Sequence, residues 1–221
     1  MIDSAARRRS LTPDRIVDAA MKIIEDGGPQ ALTFRRLGAE LGADHTAVLR
    51  HFGSKDDLLL ALAERLLAAA LDGFAPSVDW RETLAGLARR VRRACCAHPQ
   101  VAVLVAGRTT RRETEFLGAE IVLAALHQAG LAGREAASCY RALVDVALAQ
   151  AAFEANLLVA DPKALAGDAA AWGREYLAAS PEKYPHLAAV APHLAEVDRE
   201  DQFETALALF LDAVELRAAR A

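Results

Sequence analysis

Aromatic residues make up only 5% of this sequence, cysteines number three, and no uncharged apolar run reaches the length of a membrane span. Each shortage excludes something. Few aromatics beside abundant Ala and Leu disfavour sheets and favour helices. Cys95 and Cys96 are adjacent and Cys139 stands alone. Three such residues give no disulfide framework and no paired metal-binding motif, which fits a reducing cytoplasm. We expect no metal, no cofactor and no membrane partner, and read the cysteines as small apolar core residues. Arg7, Arg8 and Arg9 are followed by no apolar segment, so residues 1–10 read as a flexible basic arm and not as a secretory leader. Strand-like alternation, internal repeats and low-complexity linkers are absent. So are Gly-x-Ser-x-Gly, a phosphate-binding Gly-rich loop and His-Glu-x-x-His, and no acid–base pairing is visible, which makes an enzyme the least favoured class.

What is present is charge, unevenly placed, and helical periodicity. The formal net charge over 221 residues is −4. Residues 1–60 hold nine Lys/Arg and nine Asp/Glu, and the remainder carries the whole excess of acid. A neutral segment with its cations gathered on one face can bind phosphate.

Thr12-Pro13-Asp14 has the form of a helix start, with a capping hydroxyl, proline in the first turn and an acid near the helix N-terminus. Ile16, Ala19, Ala20, Ile23 and Ile24 then build one apolar stripe, and Gly27-Gly28-Pro29 stops it. Thr33 caps a short second helix to Leu41, with Leu37 and Leu41 on its inner face. Gly42-Ala43-Asp44 is a turn, and a third helix is expected from His45 to Phe52, held by Val48 and Phe52. Ser54-Lys55-Asp56-Asp57 resembles a capping box opening a long fourth helix to about Phe74. Further helices are expected near 80–97, 99–106, 111–129, 133–159, 163–179 and 200–219, with an ordered loop over 180–198. The fold class is therefore all-α: a three-helix helix-turn-helix domain over 11–58, then a larger helical domain over 59–221 for effector binding and dimerisation.

A short helix, a Gly-containing turn and a second short helix make a helix-turn-helix, whose second helix enters the major groove with its first residues near base edges. The run Val48-Leu-Arg-His-Phe-Gly-Ser-Lys-Asp-Asp-Leu-Leu59 after a capped first helix resembles the DNA-binding signature of the TetR family. A weaker likeness to the tetracycline-repressor-like C-terminal domain runs through Trp80-Arg-Glu-Thr-Leu, His98-Pro99, Ala129-Gly130-Leu131, Tyr184-Pro185-His186-Leu187 and Gln202-Phe203-Glu204. The resemblance implies roles. Arg35 reaches base or phosphate, and Thr33 adds a phosphate contact. His45, Thr46 and Ala47 read bases, while His51 and Lys55 match phosphate-contacting positions, and in conjunction with these Arg50 reads as a DNA contact. Leu49 stands where the family usually has Tyr. It cannot hydrogen-bond phosphate and instead suits a thymine methyl.

The resemblance also implies a homodimer on an operator palindrome, a small-molecule effector and a cytoplasmic repressor. The dimer interface is expected on helices near 133–159 and 200–219, with Ala147, Ala151 and Ala155 permitting close approach. Leu71 and Val105 occupy positions where tetracycline-binding relatives carry histidines, which argues for a different, largely apolar effector. Phe74 joins the lining, and Arg108, Thr109 and Thr110 supply polar specificity. Arg89, Arg90, Arg92, Arg93, Arg111 and Arg112 read as solvated charges, and His98 as a turn or capping group. The alternative from another class is a helical interaction scaffold with a vestigial helix-turn-helix.

Overall fold

The computed structural model describes residues 11–220, and the expected basic arm over 1–10 lies outside them. Helix α1 spans Pro13–Gly27, α2 Phe34–Leu41, α3 His45–Leu49 and α4 Lys55–Leu71. The caps are those the sequence implies. Thr12 accepts from Arg15 N–H, Thr33 from Arg36 N–H, Asp44 from Thr46 N–H and Ser54 from Asp57 N–H. Helix α3 ends at Leu49, earlier than expected, because residues 50–52 turn to bring Phe52 inward. Phe52 and Val48 are both buried. Helix α4 ends at Leu71 instead of Phe74, since Gly73 adopts a left-handed φ of 62° and breaks the helical run.

Helices α5 (Trp80–Ala97), α6 (Pro99–Val105), α7 (Glu113–Gln128) and α8 (Gly133–Val159) follow closely the expected pattern. The next stretch departs from it. Helix α9 covers Pro162–Ala171, a π-turn covers Trp172–Tyr176, and the expected loop contains helix α10 at Pro185–Leu194 with Pro192 inside it. Helix α11, Arg199–Ala218, opens with a full capping box between Asp198 and Asp201.

Two apolar cores organise these helices. The first unites Ile16, Ile24, Leu37, Val48, Leu58 and Leu62 with Val101, Ala102 and Val105 of α6 and with Ala151 and Ala155 of α8. The N-terminal helices thus share their core with the larger lobe. Lys22 pairs with Glu40 at 2.7 Å, linking α1 to α2. Arg65 joins α4 to Asp14, at 3.0 Å, and to Asp18 of α1. His98 at the start of α6 caps nothing with its side chain. Its ring pairs with Glu25 of α1 instead.

The second core gathers Leu84, Leu87, Leu126, Leu131, Leu143, Phe203, Leu207 and Leu211. Beside it Arg89, Arg90 and Arg92 of α5 prove to be engaged, while Arg93 is exposed as expected. Arg89 grips Glu204 through two nitrogens at 2.6 and 2.7 Å. Arg92 holds Glu154 of α8 and Glu200 of α11 and lies over the Phe203 ring. Arg81 reaches Asp212 and Glu215. Arg90 donates to the carbonyls of Ala70 and Asp72, satisfying the C-terminus of α4. These hydrogen bonds hold the Glu154 and Glu204 carboxyls below their ordinary range. Burial pushes the Cys95 and Cys96 thiols up to about 11, which suits packing and opposes thiolate chemistry.

The alanine stripe of α8 also points the other way from expectation. Ala147, Ala151 and Ala155 are buried within the protomer, in the packing of α8 on its own neighbours. By length and mean hydropathy (1.5) α8 is apolar enough to cross a membrane, yet only 17% of its apolar window is buried. Its inner stripe is committed to the core, and its outer face leaves Ala142, Ala149 and Phe153 exposed.

The turn between α2 and α3 depends on two glycines. Gly42 takes a left-handed φ of 61°. At Gly38 an added Cβ would lie 2.7 Å from the Ala43 carbonyl oxygen and 3.1 Å from the His45 nitrogen. Gly38→Val should therefore displace α3 while leaving the larger lobe folded. Helical circular dichroism should stay nearly unchanged while duplex affinity is lost, and retained affinity would contradict this packing. Ile24 is fully buried in the shared core, so Ile24→Ala should cost about 2–5 kcal/mol. Calorimetry should still show a single unfolding transition, because the lobes share that core.

Candidate nucleic-acid interface

Helix α3 is only five residues long and is positioned by what surrounds it. Val48 is fully buried against α1, α2 and α4, and Phe52 anchors the chain as it leaves. With that side pinned, His45, Thr46, Leu49 and Arg50 face outward and are exposed, and Ala47 is half-buried. Leu49, which cannot serve as a phosphate donor, is 38% exposed on this face. Asp44 caps α3 through Thr46 N–H at 2.8 Å and also accepts the Thr46 hydroxyl at 2.6 Å. His45 Nδ1 lies 3.6 Å from the same carboxylate. The hydrogen bonds from Thr46 hold the Asp44 carboxyl below its ordinary range.

The basic side chains around α3 divide by whether they are already engaged. Arg35, His51 and Lys55 are exposed and, among the described residues, have no hydrogen-bond or ion-pair partner. Arg50 has only an electrostatic attraction to Asp44. Arg36, next to Arg35, turns toward the C-terminal end of α1, where its guanidinium would lie 3.1 Å from a Cβ on Gly27. Thr33 spends its hydroxyl oxygen on the α2 cap at 3.1 Å. The nine candidate residues therefore lie from the cap of α2, through α3 and the turn after it, to the start of α4. Among them Arg35, Arg50 and Lys55 present exposed cationic side chains, and the His51 ring is exposed with them.

The effector candidates are less coherent. Leu71 and Phe74 pack against the second core, where Leu71 lies beside Gly118 of α7 and the Phe74 ring beside Gly86 of α5. Val105 belongs to the first core. Arg108 pairs with Asp56 at 2.6 Å, at the N-terminal end of α4, so its charge is already engaged. Thr109 is exposed. Thr110, only 2% exposed, lies 2.9 Å from Glu64 of α4 and 2.8 Å from Glu115 of α7. Glu64 also accepts from Thr114 N–H at 3.0 Å, and Arg112 reaches the Asp57 carbonyl. Arg112 thus has a partner where a solvated charge was expected. The loop from α6 to α7 grips α4 at its start and at its middle. Sequence reasoning missed Glu64 and Glu115, because nothing in their spacing marks a tertiary contact. A groove of about 210 Å³ lies elsewhere, between Ser77 and Thr83 on one side and Glu120, Ile121 and Gln128 of α7 on the other.

Comparison with known proteins places this geometry. Residues 16–62 match the model of the bacterial regulatory proteins of the tetR family, and residues 75–217 match the tetracyclin repressor-like C-terminal domain. The class A tetracycline repressor of transposon 1721 from Escherichia coli is 30% identical over 209 residues, 94% of this chain and 92% of its own. Among solved structures, apo ActR from Streptomyces coelicolor superposes with a TM-score of 0.82 at 25% identity, covering 95% of this chain and 97% of ActR. ActR in complex with actinorhodin gives the same TM-score and identity, over 95% and 99%. With an N-terminal helix-turn-helix, an all-helical body and family matches along most of its length, the chain belongs to the TetR family of transcriptional regulators.

Proposed function

We propose that this protein is a ligand-responsive repressor that binds a palindromic operator as a homodimer, in the cytoplasm, and leaves it when a small, largely apolar effector binds. The observation that carries the reading is the set of exposed side chains, Arg35, Arg50 and Lys55 with His51, around an α3 whose inner face is pinned and whose outer face is free. Basic side chains gathered on one exposed face supply the sequence-independent part of binding to a polyanion. In this docking His45, Thr46, Ala47 and Leu49 meet base edges. Thr33 and the N-terminal N–H groups of α2 lie against phosphate. A vestigial helix-turn-helix would have no need of either feature.

Two recognition helices must meet successive major grooves about 34–36 Å apart. The dimer that sets this spacing forms on the outer faces of α8 and α11. Phe153 is 52% exposed, and Leu209 and Leu216 are 65% and 61% exposed, seven residues apart on one face of α11. Effector binding acts on the loop between α6 and α7, which holds α4 through Asp56 and Glu64. A ligand that prefers one arrangement of that loop shifts the population by its difference in affinity for the two states, and no further. ActR, which shares the fold, is known with actinorhodin bound. Leu71 and Val105 present alkyl groups where tetracycline-binding relatives carry histidines, so the effector is apolar and not a tetracycline–magnesium chelate. Leu71 and Phe74 lie closest to its path, and Thr109 and Thr110 with Arg108 supply its polar contacts once Arg108 releases Asp56.

Lys55→Ala should weaken binding to all duplexes about equally and lower the slope of log K against log salt by about one unit. A titration in which affinity and slope both stay unchanged would remove Lys55 from the interface. For the dimer, Leu209→Asp together with Leu216→Asp should give a monomer by sedimentation, with helical circular dichroism retained because neither side chain is buried in the protomer, and with a lower melting temperature because the stabilisation added by association is lost. A dimer that survives both substitutions would place the interface elsewhere.

A further inference from the structure

The exposed hydroxyl of Thr46 has one proton, and that proton is taken. It is donated to Asp44 Oδ1 at 2.6 Å, and the same oxygen accepts Thr46 N–H at 2.8 Å. A hydrogen bond from a hydroxyl to a carboxylate is charge-assisted and among the stronger kinds. The carboxylate stays ionised at neutral pH, since these bonds hold its pKa down. What Thr46 can then show outward is two oxygen lone pairs and a methyl group. In the major groove, adenine N6 and cytosine N4 are donors, whereas guanine O6 and thymine O4 are acceptors.

From this geometry we infer that Asp44 is a specificity-determining residue: by fixing the Thr46 hydroxyl as an acceptor, it makes the recognition helix favour an amino-bearing base, adenine or cytosine, over a keto-bearing one at the position Thr46 reads. The inference rests on the docking proposed above, in which α3 enters the major groove. Asp44 acts through Thr46 and is a positioning residue. A threonine without such a partner can rotate its proton outward and accept either kind of base. The carboxylate removes that freedom.

The position offers a substitution that separates orientation from folding. Glycine is nearly as good an N-cap as aspartate, so Asp44→Gly removes the acceptor while keeping the start of α3. Asp44→Asn retains an acceptor oxygen at the same place and discards the charge. The full-length protein would be used to select duplexes from a pool of palindromic, randomised half-sites, and base frequencies read column by column. Wild type should show one column enriched in A and C over G and T by about fivefold, as expected for one hydrogen bond. Thr46→Val, which keeps the shape and loses the hydroxyl, should erase that preference. Asp44→Gly should erase it too, with melting temperature nearly unchanged, and Asp44→Asn should preserve it. The inference is overturned if Asp44→Gly keeps the amino preference, if Asp44→Asn loses it, or if the column altered by Thr46→Val is rich in G and T. Should wild type select a motif of which Thr46→Val changes no column, the docking itself would fail, a result distinguishable from failure of the orientation alone.

Discussion

Packing of α6 into the core of the N-terminal helices is the constraint on which the rest of the molecule depends. Val101, Ala102 and Val105 of α6 sit in one apolar cluster with Ile16 and Ile24 of α1 and Leu58 and Leu62 of α4. Two consequences follow. The reading head cannot swing as a free module, because any rotation would open a densely packed interior, and such interiors move between discrete arrangements more easily than they deform. A shift of α6 also reaches α1 and α4 directly, with no linker to absorb it. The polar contacts reinforce this arrangement: His98 ties the start of α6 to Glu25 of α1, and Arg108, just past its end, ties it to Asp56 of α4.

Charge is used in two distinct ways along the chain. In the larger lobe the arginines of α5 are structural: Arg81, Arg89 and Arg92 reach acids on α11, and Arg90 satisfies the carbonyls ending α4. Exposed pairs of this sort contribute little individually, but Arg92 and Glu154 are mostly buried and lock three helices together with Glu200. In the head, the side chains of Arg35 and Lys55 have, among the described residues, no such partner, nor has the ring of His51. An overall charge of −4 therefore does not describe the surface around α3, where basic side chains remain available to an anion.

The sequence made the helices legible because their signals are local. Thr12, Thr33, Asp44 and Ser54 each stand where a capping oxygen is needed, and each caps. The helix-turn-helix was legible for the same reason, since its glycines and its Val48–Phe52 anchor fall within one short window. What failed was orientation, which depends on distant residues. Ala147, Ala151 and Ala155 share a face by spacing, but which neighbour that face meets is decided by α5 and α6, far off in the chain. Arg89 and Arg92 looked solvated because their partners, Glu154, Glu200 and Glu204, lie on helices that the basic run itself cannot reveal. The effector residues were least legible. Arg108 is near the expected region in sequence, yet the chain turns after Val105 and delivers its guanidinium to the start of α4.

A five-residue recognition helix also limits how specificity can be achieved. In the docking proposed above, only His45, Thr46, Ala47 and Leu49 meet base edges, and contacts by Arg35, Arg50, His51 and Lys55 to phosphate would add affinity without sequence information. One half-site therefore carries too little discrimination to stand out among genomic competitors, so two must be read together. Reading two at once makes affinity for a palindrome depend on the distance between heads, which in the proposed dimer the outer faces of α8 and α11 would set. An effector of the proposed kind need not touch a single DNA contact to abolish that reading. It has only to favour a body in which α4 holds the heads a few ångströms from the groove spacing. The shared core of α1, α4 and α6 transmits such a displacement where a flexible linker would dissipate it.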